Sequence, residues 1–495
     1  MILTVENASL TEVEADLVVV NLFEGVKNPG GATGSVDENL GGLISNFVIE
    51  KEGFDGKFGT MYLLPIPNSK TFSKVLIVGL GKAEEFTLNK VREISAKVIQ
   101  KCKALKNVKK IASILHGAGV AGFDAYESAQ MIAEGVLISS YSFDKYKSEK
   151  DENNVEEFKV IESDCEKFVK AKNGIERGRL YSEAVNFARN LSNEAAMVAT
   201  PTELARIAQE SDGIEVKIYD KNDIETMGMR AFLAVGQGSV QPPKFIHMRY
   251  SPEKPKKRIA IIGKGVTFDS GGLDLKPAAS MLTMKDDMSG AAAMIGIMQV
   301  ISKLKPEIEV NALVAACENM PSGSSYKPGD VLIAKNGKTI EVDNTDAEGR
   351  ITLADVLTFA EDELKVDEII DMATLTGACM VALGTAASGI MGNNQDMINK
   401  LIELGEKSGE RYWQLPLFEE YKDSLKSDIA DMKNTGSRMG GASIAGVFLQ
   451  NFILKDTPWV HLDIAGTAYL DKANKLGIKA ATGVGVRTIL NYILS

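Results

Sequence analysis

Histidine is nearly absent from this chain. Only His116, His247 and His461 occur in 495 residues, widely separated and without an HExxH string. A histidine-rich zinc site is therefore excluded, and the three read as isolated structural side chains. Cysteine is also sparse. Cys102, Cys165, Cys317 and Cys379 are scattered and form no CxxC pair, which excludes a disulfide frame or a cysteine zinc cluster and leaves reduced thiols, mainly packing residues. No apolar run approaches the roughly 20 residues that cross a bilayer. The opening MILTVENASLTEVEADLVVVN lacks the basic start and unbroken apolar stretch of a signal peptide, so a cytoplasmic protein is expected. Positive charge is in deficit as well. A formal net charge of −11 argues against broad adhesion to nucleic acid or anionic membrane, and neither is an expected partner. The one basic run, KPKKR at 254 to 258, reads as a solvated loop leading into a strand.

What is present is an ordinary folding composition, 44% hydrophobic and 25% charged. The length exceeds that at which single cores stop growing, so two domains are expected. The pattern places an N-terminal α/β domain at 1–160, a linking helix at 161–192 and a second, larger α/β domain at 193–495. In the first, LVVVNL at 17 to 22, KVLIVGLG at 74 to 81 and KIASILH at 110 to 116 predict buried strands, and 87–106 and 125–139 carry helical periodicity. The GLG at 79 to 81 lacks the third glycine of a dinucleotide fingerprint and reads as a tight turn. DKYKSEKDENN at 144 to 154 reads as a surface turn, and helical pattern runs from about Cys165 to Leu191.

In the second domain RIAIIG (258–263), EVNALVAAC (309–317), EIIDMATL (368–375) and WVHLDIAG (459–466) predict strands, separated by helices that include 291–304 and 353–364. Near-continuous apolar strands between helices imply a central mixed, largely parallel sheet covered on both faces. Ligands in such sheets collect beyond the carboxyl ends of the strands, where the unusual residues of this sequence fall.

Two motifs carry those residues, the first in two segments. GKGVTFDSGGLDLKP (263–277) and MLTMKDDMSGAAA (281–293) follow the first strand and are not a phosphate-binding GxxxxGK[ST] loop. They present Lys264, Asp269, Lys276 and Asp287 on a glycine-rich path. DNTDAEGR (343–350) precedes a helix expected to be amphipathic. Were it extended, Asp346 and Glu348 would point the same way, about 6.5 to 7 Å apart, with Arg350 at the helix start, where free N–H groups favour an anion. Four converging carboxylates cannot all stay ionised unaided. Two divalent cations would neutralise Asp269, Asp287, Asp346 and Glu348, in a carboxylate-rich pair of metal sites. Spacing alone leaves open that these acids cap helices and form surface ion pairs.

GKGVTFDSGG, KDDMSGAA and NTDAEGRITLAD, with ATLTGAC (373–379), SDIADMKN (427–434), HLDIAGTA (461–468) and ATGVGVRT (481–488), resemble the signatures of the leucyl aminopeptidase family, hexameric cytosolic enzymes that use two metals. The resemblance covers most of the chain from about 175 onward. It implies metal ligands at Lys264, Asp269, Asp287, Asp346 and Glu348, two divalent ions per chain (Mn²⁺ or Zn²⁺), and a catalytic Lys276. It further implies an Arg350 that holds bicarbonate as general base, and Met284, Thr374 and Gly377 lining the pocket for the first side chain. The implied activity is hydrolysis of the N-terminal residue, leucine or another mainly apolar one, from peptides with a free N-terminus, by a homohexamer. Other readings are a dimetal hydrolase of another ester or amide, or a family member with an added DNA-binding regulatory role. The chain departs from its relatives at NEAAMVATP (193–201) and at Leu273-Asp274, where a further carboxylate enters near the site.

Overall fold

In the computed structural model, which describes residues 1–67, 69–119, 121–149 and 155–495, the chain divides into two units. The first comprises Met1–Ser182 with Ala473–Ile478, the second Glu183–Lys472 with Lys479–Ser495. The division falls inside one 29-residue helix, Cys165–Asn193. Of the charged stretch 144–154, residues 150–154 lie outside the described residues, and 144–149 are irregular, with a turn at 145–146 and a bend at 148–149.

The first unit is built on β1 (Ile2–Glu6), β2 (Ala15–Leu22), β3 (Met61–Pro65), β4 (Phe72–Gly79), β5 (Lys110–Ile114) and β6 (Glu157–Ile161), with helices α1 (Gly31–Asn39), α2 (Leu88–Lys103) and α3 (Ala125–Ser139). The six-stranded sheet has order β1-β6-β5-β2-β4-β3, parallel except for β3 against β4. The apolar run of β2 is continuous because both faces are covered. Leu17 and Val19 join one buried cluster with residues of α2 and α3, while Val18 and Val20 join another with Val36, Ile44 and Val48.

The second unit contains β7 (Glu215–Tyr219), β8 (Lys244–Tyr250), β9 (Arg258–Asp269), β10 (Glu309–Asn319), β11 (Val331–Ile333), β12 (Thr339–Glu341), β13 (Glu368–Ala373), β14 (Ser388–Gly392), β15 (Tyr412–Gln414), β16 (Met432–Lys433) and β17 (Trp459–Asp463). Its main sheet runs β15-β14-β17-β13-β9-β10-β8-β7. The centre, β17-β13-β9-β10, is parallel, and β8 and β7 extend it antiparallel. The sheet is thus mixed with a parallel centre, as its apolar strands imply. A small sheet, β11-β12-β16, leads into the acidic stretch at 343–350.

Three local expectations are corrected. β9 does not stop at Gly263 but continues to Asp269. Its glycines are strand glycines forced by close approach: a Cβ at Gly263 would lie 2.5 Å from the backbone of Gly290, at the start of the helix Ser289–Leu304. The 343–350 stretch is not extended but turns through Thr345 and Asp346, and Glu348 opens the helix Glu348–Phe359. That helix is buried along its whole length instead of being amphipathic, because helix and sheet neighbours cover every side of it.

Candidate active site

At the carboxyl ends of β9, β10 and β13 the structure gathers the acids and lysines of both motifs. Lys264 lies within β9, and Asp269 ends the strand. Asp287 precedes the helix Ser289–Leu304, whose start lies against β9 through the Gly263–Gly290 contact. Lys264 Nζ is 2.8 Å from Asp287 Oδ1 and 2.8 Å from Glu348 Oε1, and it donates to the Thr374 carbonyl at 3.0 Å. Lys276 Nζ bridges Asp269 Oδ2 at 2.9 Å and Asp346 Oδ1 at 2.6 Å. One carboxylate oxygen from each of Asp269, Asp346 and Glu348 falls within 4.8 Å of the others.

Small residues in DNTDAEGR follow from this packing. A Cβ at Gly349 would stand 2.7 Å from Lys264 Nζ and 2.4 Å from its Cε, so only glycine lets the helix start close over the lysine.

Electrostatics at the site are set by burial and by these pairs. Burial opposes charge on Lys264, but the Asp287, Glu348 and Asp269 carboxylates outweigh it and hold the ammonium protonated above its usual range. Burial, aided by Glu348, pushes Asp269 up to about 6, with Lys276 pulling the other way. Burial likewise raises Asp287 well above the usual carboxylate range and raises Asp346, so the clustered acids resist ionisation and favour added positive charge. Asp287 Oδ2 and Glu348 Oε2 are buried without a hydrogen-bond partner, a costly state for carboxylate oxygens that a cation relieves. Oxygen donors of this number suit divalent ions, so the residues present fit metal binding.

Surrounding residues hold the ring of acids. Asn319 at the end of β10 donates to Asp269 Oδ1 at 2.9 Å, as does the Gly271 N–H. The Thr374 hydroxyl donates to Asp287 Oδ1 at 2.8 Å. Asn434 fastens the acidic turn, accepting from the N–H groups of Asp343 and Asn344 and donating to the Asn344 carbonyl at 2.7 Å. Its own carbonyl accepts from Arg350 Nη1 at 2.9 Å. Arg350 is buried, its Nε has no partner, and burial lowers its pKa to about 10, which leaves it charged at neutral pH.

Of the ten residues named from the sequence, seven share this contact network: Lys264, Asp269, Lys276, Asp287, Asp346, Glu348 and Thr374. Arg350 stands two residues beyond Glu348 on the same helix. Met284 is half-buried at the start of a short turn that leads to Asp287, and exposed Gly377 opens the helix Gly377–Leu383; the polar contacts above include neither. Asn319 was not singled out from sequence, and Asn434 was noticed only inside the SDIADMKN string. Asp274, the extra carboxylate, accepts from the Thr345 N–H at 2.7 Å and so braces the acidic turn.

The histidines and basic run take no part. His116, His247 and His461 pair with Asn21, Asn311 and Asp371. Lys256, Lys257 and Arg258 pair with Glu307, Glu368 and Glu309. Three cysteines are buried and Cys165 is exposed, all as free thiols. Among the described residues no helix is long and apolar enough to cross a membrane.

Comparison with known proteins places the chain in a family. Residues 186–490 match the cytosol aminopeptidase family, catalytic domain, and residues 19–150 match the N-terminal domain of the same family. The chain belongs to the cytosol aminopeptidase family, and it is an aminopeptidase, a hydrolase. It is 46% identical over 470 residues to a probable cytosol aminopeptidase of Persephonella marina, covering 93% of each chain. It is 44% identical to that of Rippkaea orientalis over 99% of each. Among solved structures, a tomato leucine aminopeptidase mutant superposes with a TM-score of 0.87 at 34% identity, covering 99% of this chain and 96% of that one. The bottromycin maturation enzyme BotP in complex with Mn gives 0.86 at 31%, covering 97% and 99%.

Proposed function

We propose that this aminopeptidase is metal-dependent and removes leucine and other, mainly apolar, residues from the free N-terminus of peptides. The observation that carries the reading is the convergence of four buried or half-buried carboxylates on Lys264 and Lys276, with carboxylate oxygens left unpartnered. Asp269, Asp287, Asp346 and Glu348, together with Lys264 as a neutral amine whose proton the bound ion would displace, are the residues that would hold two divalent ions, Mn²⁺ or Zn²⁺. Bound there, such ions supply Lewis acidity and lower the pKa of the attacking water.

The remaining steps belong to the chain. Lys276, oriented by Asp269 and Asp346, faces the scissile carbonyl and stabilises charge developing on its oxygen. Arg350, whose Nε–H has no partner, binds bicarbonate, a planar anion suited to a guanidinium and able to serve as general base. Asp287, with one oxygen unpartnered, accepts hydrogens from the substrate α-amine. Met284, Thr374 and Gly377 line the pocket for the first side chain. Cytoplasmic residence and a homohexameric state complete the proposal; the family resemblance supports them.

The test is a panel of aminoacyl amides and simple phosphoesters offered to chelated enzyme with Mn²⁺, Zn²⁺, Mg²⁺ or Co²⁺ restored singly. Silence after chelation, recovery with Mn²⁺ or Zn²⁺ and preference for Leu-amide over Asp-amide are expected. Faster turnover of a phosphoester than of every amide would contradict the proposal.

A further inference from the structure

The loop leaving β13 carries Thr374 and Gly377, both proposed to line the pocket for the first side chain, and little packing holds it. In the helix Gly377–Leu383 that follows, only Cys379 is buried, while Met380 and Val381 are 47% and 89% exposed. With so little apolar area removed from water, hydrogen bonds decide where the loop stands. On one side Thr374 ties it to the acid cluster, its carbonyl accepting from Lys264 and its hydroxyl donating to Asp287. The other side is tied by a residue that the proposed chemistry does not use.

That residue is Asp463, the last of β17. β17 runs parallel beside β13 with Asp463 opposite Ala373, a register that sets the carboxylate beside the first residues past β13. Oδ1 accepts from the N–H groups of Leu375 at 3.3 Å and Thr376 at 3.4 Å, and Oδ2 accepts from the Thr376 hydroxyl at 2.7 Å. Oδ1 also accepts from the Ala465 N–H at 3.2 Å, on the loop leaving β17. One carboxylate thus gathers the loops that leave two neighbouring strands. The Thr376 hydroxyl passes the contact on, because it accepts from the Cys379 N–H at 3.0 Å and so caps the helix that Gly377 opens. Asp463 is fully buried, a costly place for a carboxylate unless its oxygens are filled. Here they are filled by groups of those two loops, so the buried charge secures the position of both.

We propose that Asp463 is the positioning residue that sets specificity for the first side chain. By fixing Leu375 and Thr376 it fixes Thr374 and Gly377 on either side of them, and with them the width of the pocket; the inference rests on that pocket as proposed above.

The experiment is steady-state hydrolysis of Leu-amide and Ala-amide at saturating Mn²⁺, with calorimetric binding of leucinol and alaninol, which keep the amine and side chain but have no scissile bond. Asp463→Ala, Asp463→Asn, Thr376→Val and Thr376→Ser are compared with the parent. Thr376→Val removes the hydroxyl and keeps the bulk, so it carries the test even where Asp463→Ala does not fold. Both of these variants should raise KM for Leu-amide roughly tenfold and lower the Leu-to-Ala ratio of kcat/KM by about as much, the scale of methylene discrimination in a formed pocket. Their kcat should change much less, and leucinol should lose its advantage over alaninol in parallel. Thr376→Ser, which keeps the hydroxyl, and Asp463→Asn, which keeps an acceptor, should regain most of the ratio. An unchanged ratio in Thr376→Val overturns the proposal. So does a Thr376→Ser no better than Thr376→Val, and so does a loss of kcat shared equally by both amides, which would make Asp463 a support of the fold alone. Equal handling of the two amides by the parent would remove the pocket and the inference with it, whereas failure of the inference alone shows only in the variants.

Discussion

Asp274 and Thr345, 71 residues apart, hold each other by reciprocal backbone-to-side-chain hydrogen bonds. Asp274 Oδ2 accepts from the Thr345 N–H at 2.7 Å, and Thr345 Oγ1 accepts from the Asp274 N–H at 2.9 Å. Thr345 is fully buried and immediately precedes Asp346, so the clamp fixes the turn that presents that carboxylate. Asp274→Ala strands a buried N–H and frees the turn. Metal affinity of the chelated and titrated enzyme should fall roughly 10- to 100-fold, as when supports of metal ligands are lost, and Asp274→Asn, which keeps an acceptor, should restore much of it. A lower melting temperature with unchanged metal affinity would reduce Asp274 to a purely structural brace.

The two lysines pair with different acids, Lys264 with Asp287 and Glu348 and Lys276 with Asp269 and Asp346, and should separate by experiment. Lys276→Ala is expected to keep its metals but lose roughly 10² to 10³ in kcat, the usual loss for one oxyanion-type stabiliser. Lys264→Ala should instead weaken metal retention. Metal analysis beside single-turnover rates tells them apart, and the reverse pattern would exchange the proposed roles.

The sheet centres were legible because β2, β9, β10, β13 and β17 are buried on both faces and read as apolar runs. β7 was missed, since EVKIY is only partly buried. β8, KFIHMRY, was missed too, its buried stretch being interrupted by His247 and ended by Arg249. The acids and lysines were legible as unusual residues at strand ends, but their supports were not. Asn319, Asp274 and Asn434 act on residues 50, 71 and 90 positions away, and hydrogen bonds across such separations leave no period in the sequence. The conformation of 343–348 was misjudged because carboxylates two apart can converge from a strand or from a turn entering a helix, and only tertiary packing, with Lys264 seated against Gly349, selects the second.

Substrates should require a free amine. As a free base it can bind a metal, with Asp287 accepting its hydrogens, and an acetyl cap removes the basic lone pair. Leu-amide should therefore be cleaved and N-acetyl-Leu-amide left intact. The rate on Leu-amide should rise from pH 6 into the mildly alkaline range as the amine, with a reference pKa of about 7.7 to 8.0, loses its proton. Comparable turnover of the capped amide would make the enzyme a general amidase.

Acid should weaken the first unit through His116. Burial lowers its pKa from 6.5 to about 4, so folding favours the neutral ring. That contribution, about 3 kcal/mol, is present in full above pH 6.5 and is lost as the pH falls toward 4. Thermal unfolding of the full chain between pH 7.5 and 4 should show a shallower acid decline for His116→Asn than for the parent. Parallel profiles would mean that His116 does not titrate between the folded and unfolded states.

Lys264, Asp269, Asp287, Asp346 and Glu348 are proposed to hold two divalent ions on which activity depends. Anomalous scattering from crystals of fully active enzyme, with elemental analysis of the same preparation, measures this directly. Two ions per chain are expected, both among these five residues, with activity lost and regained as they are removed and restored. Full activity with one specific ion or none would contradict it.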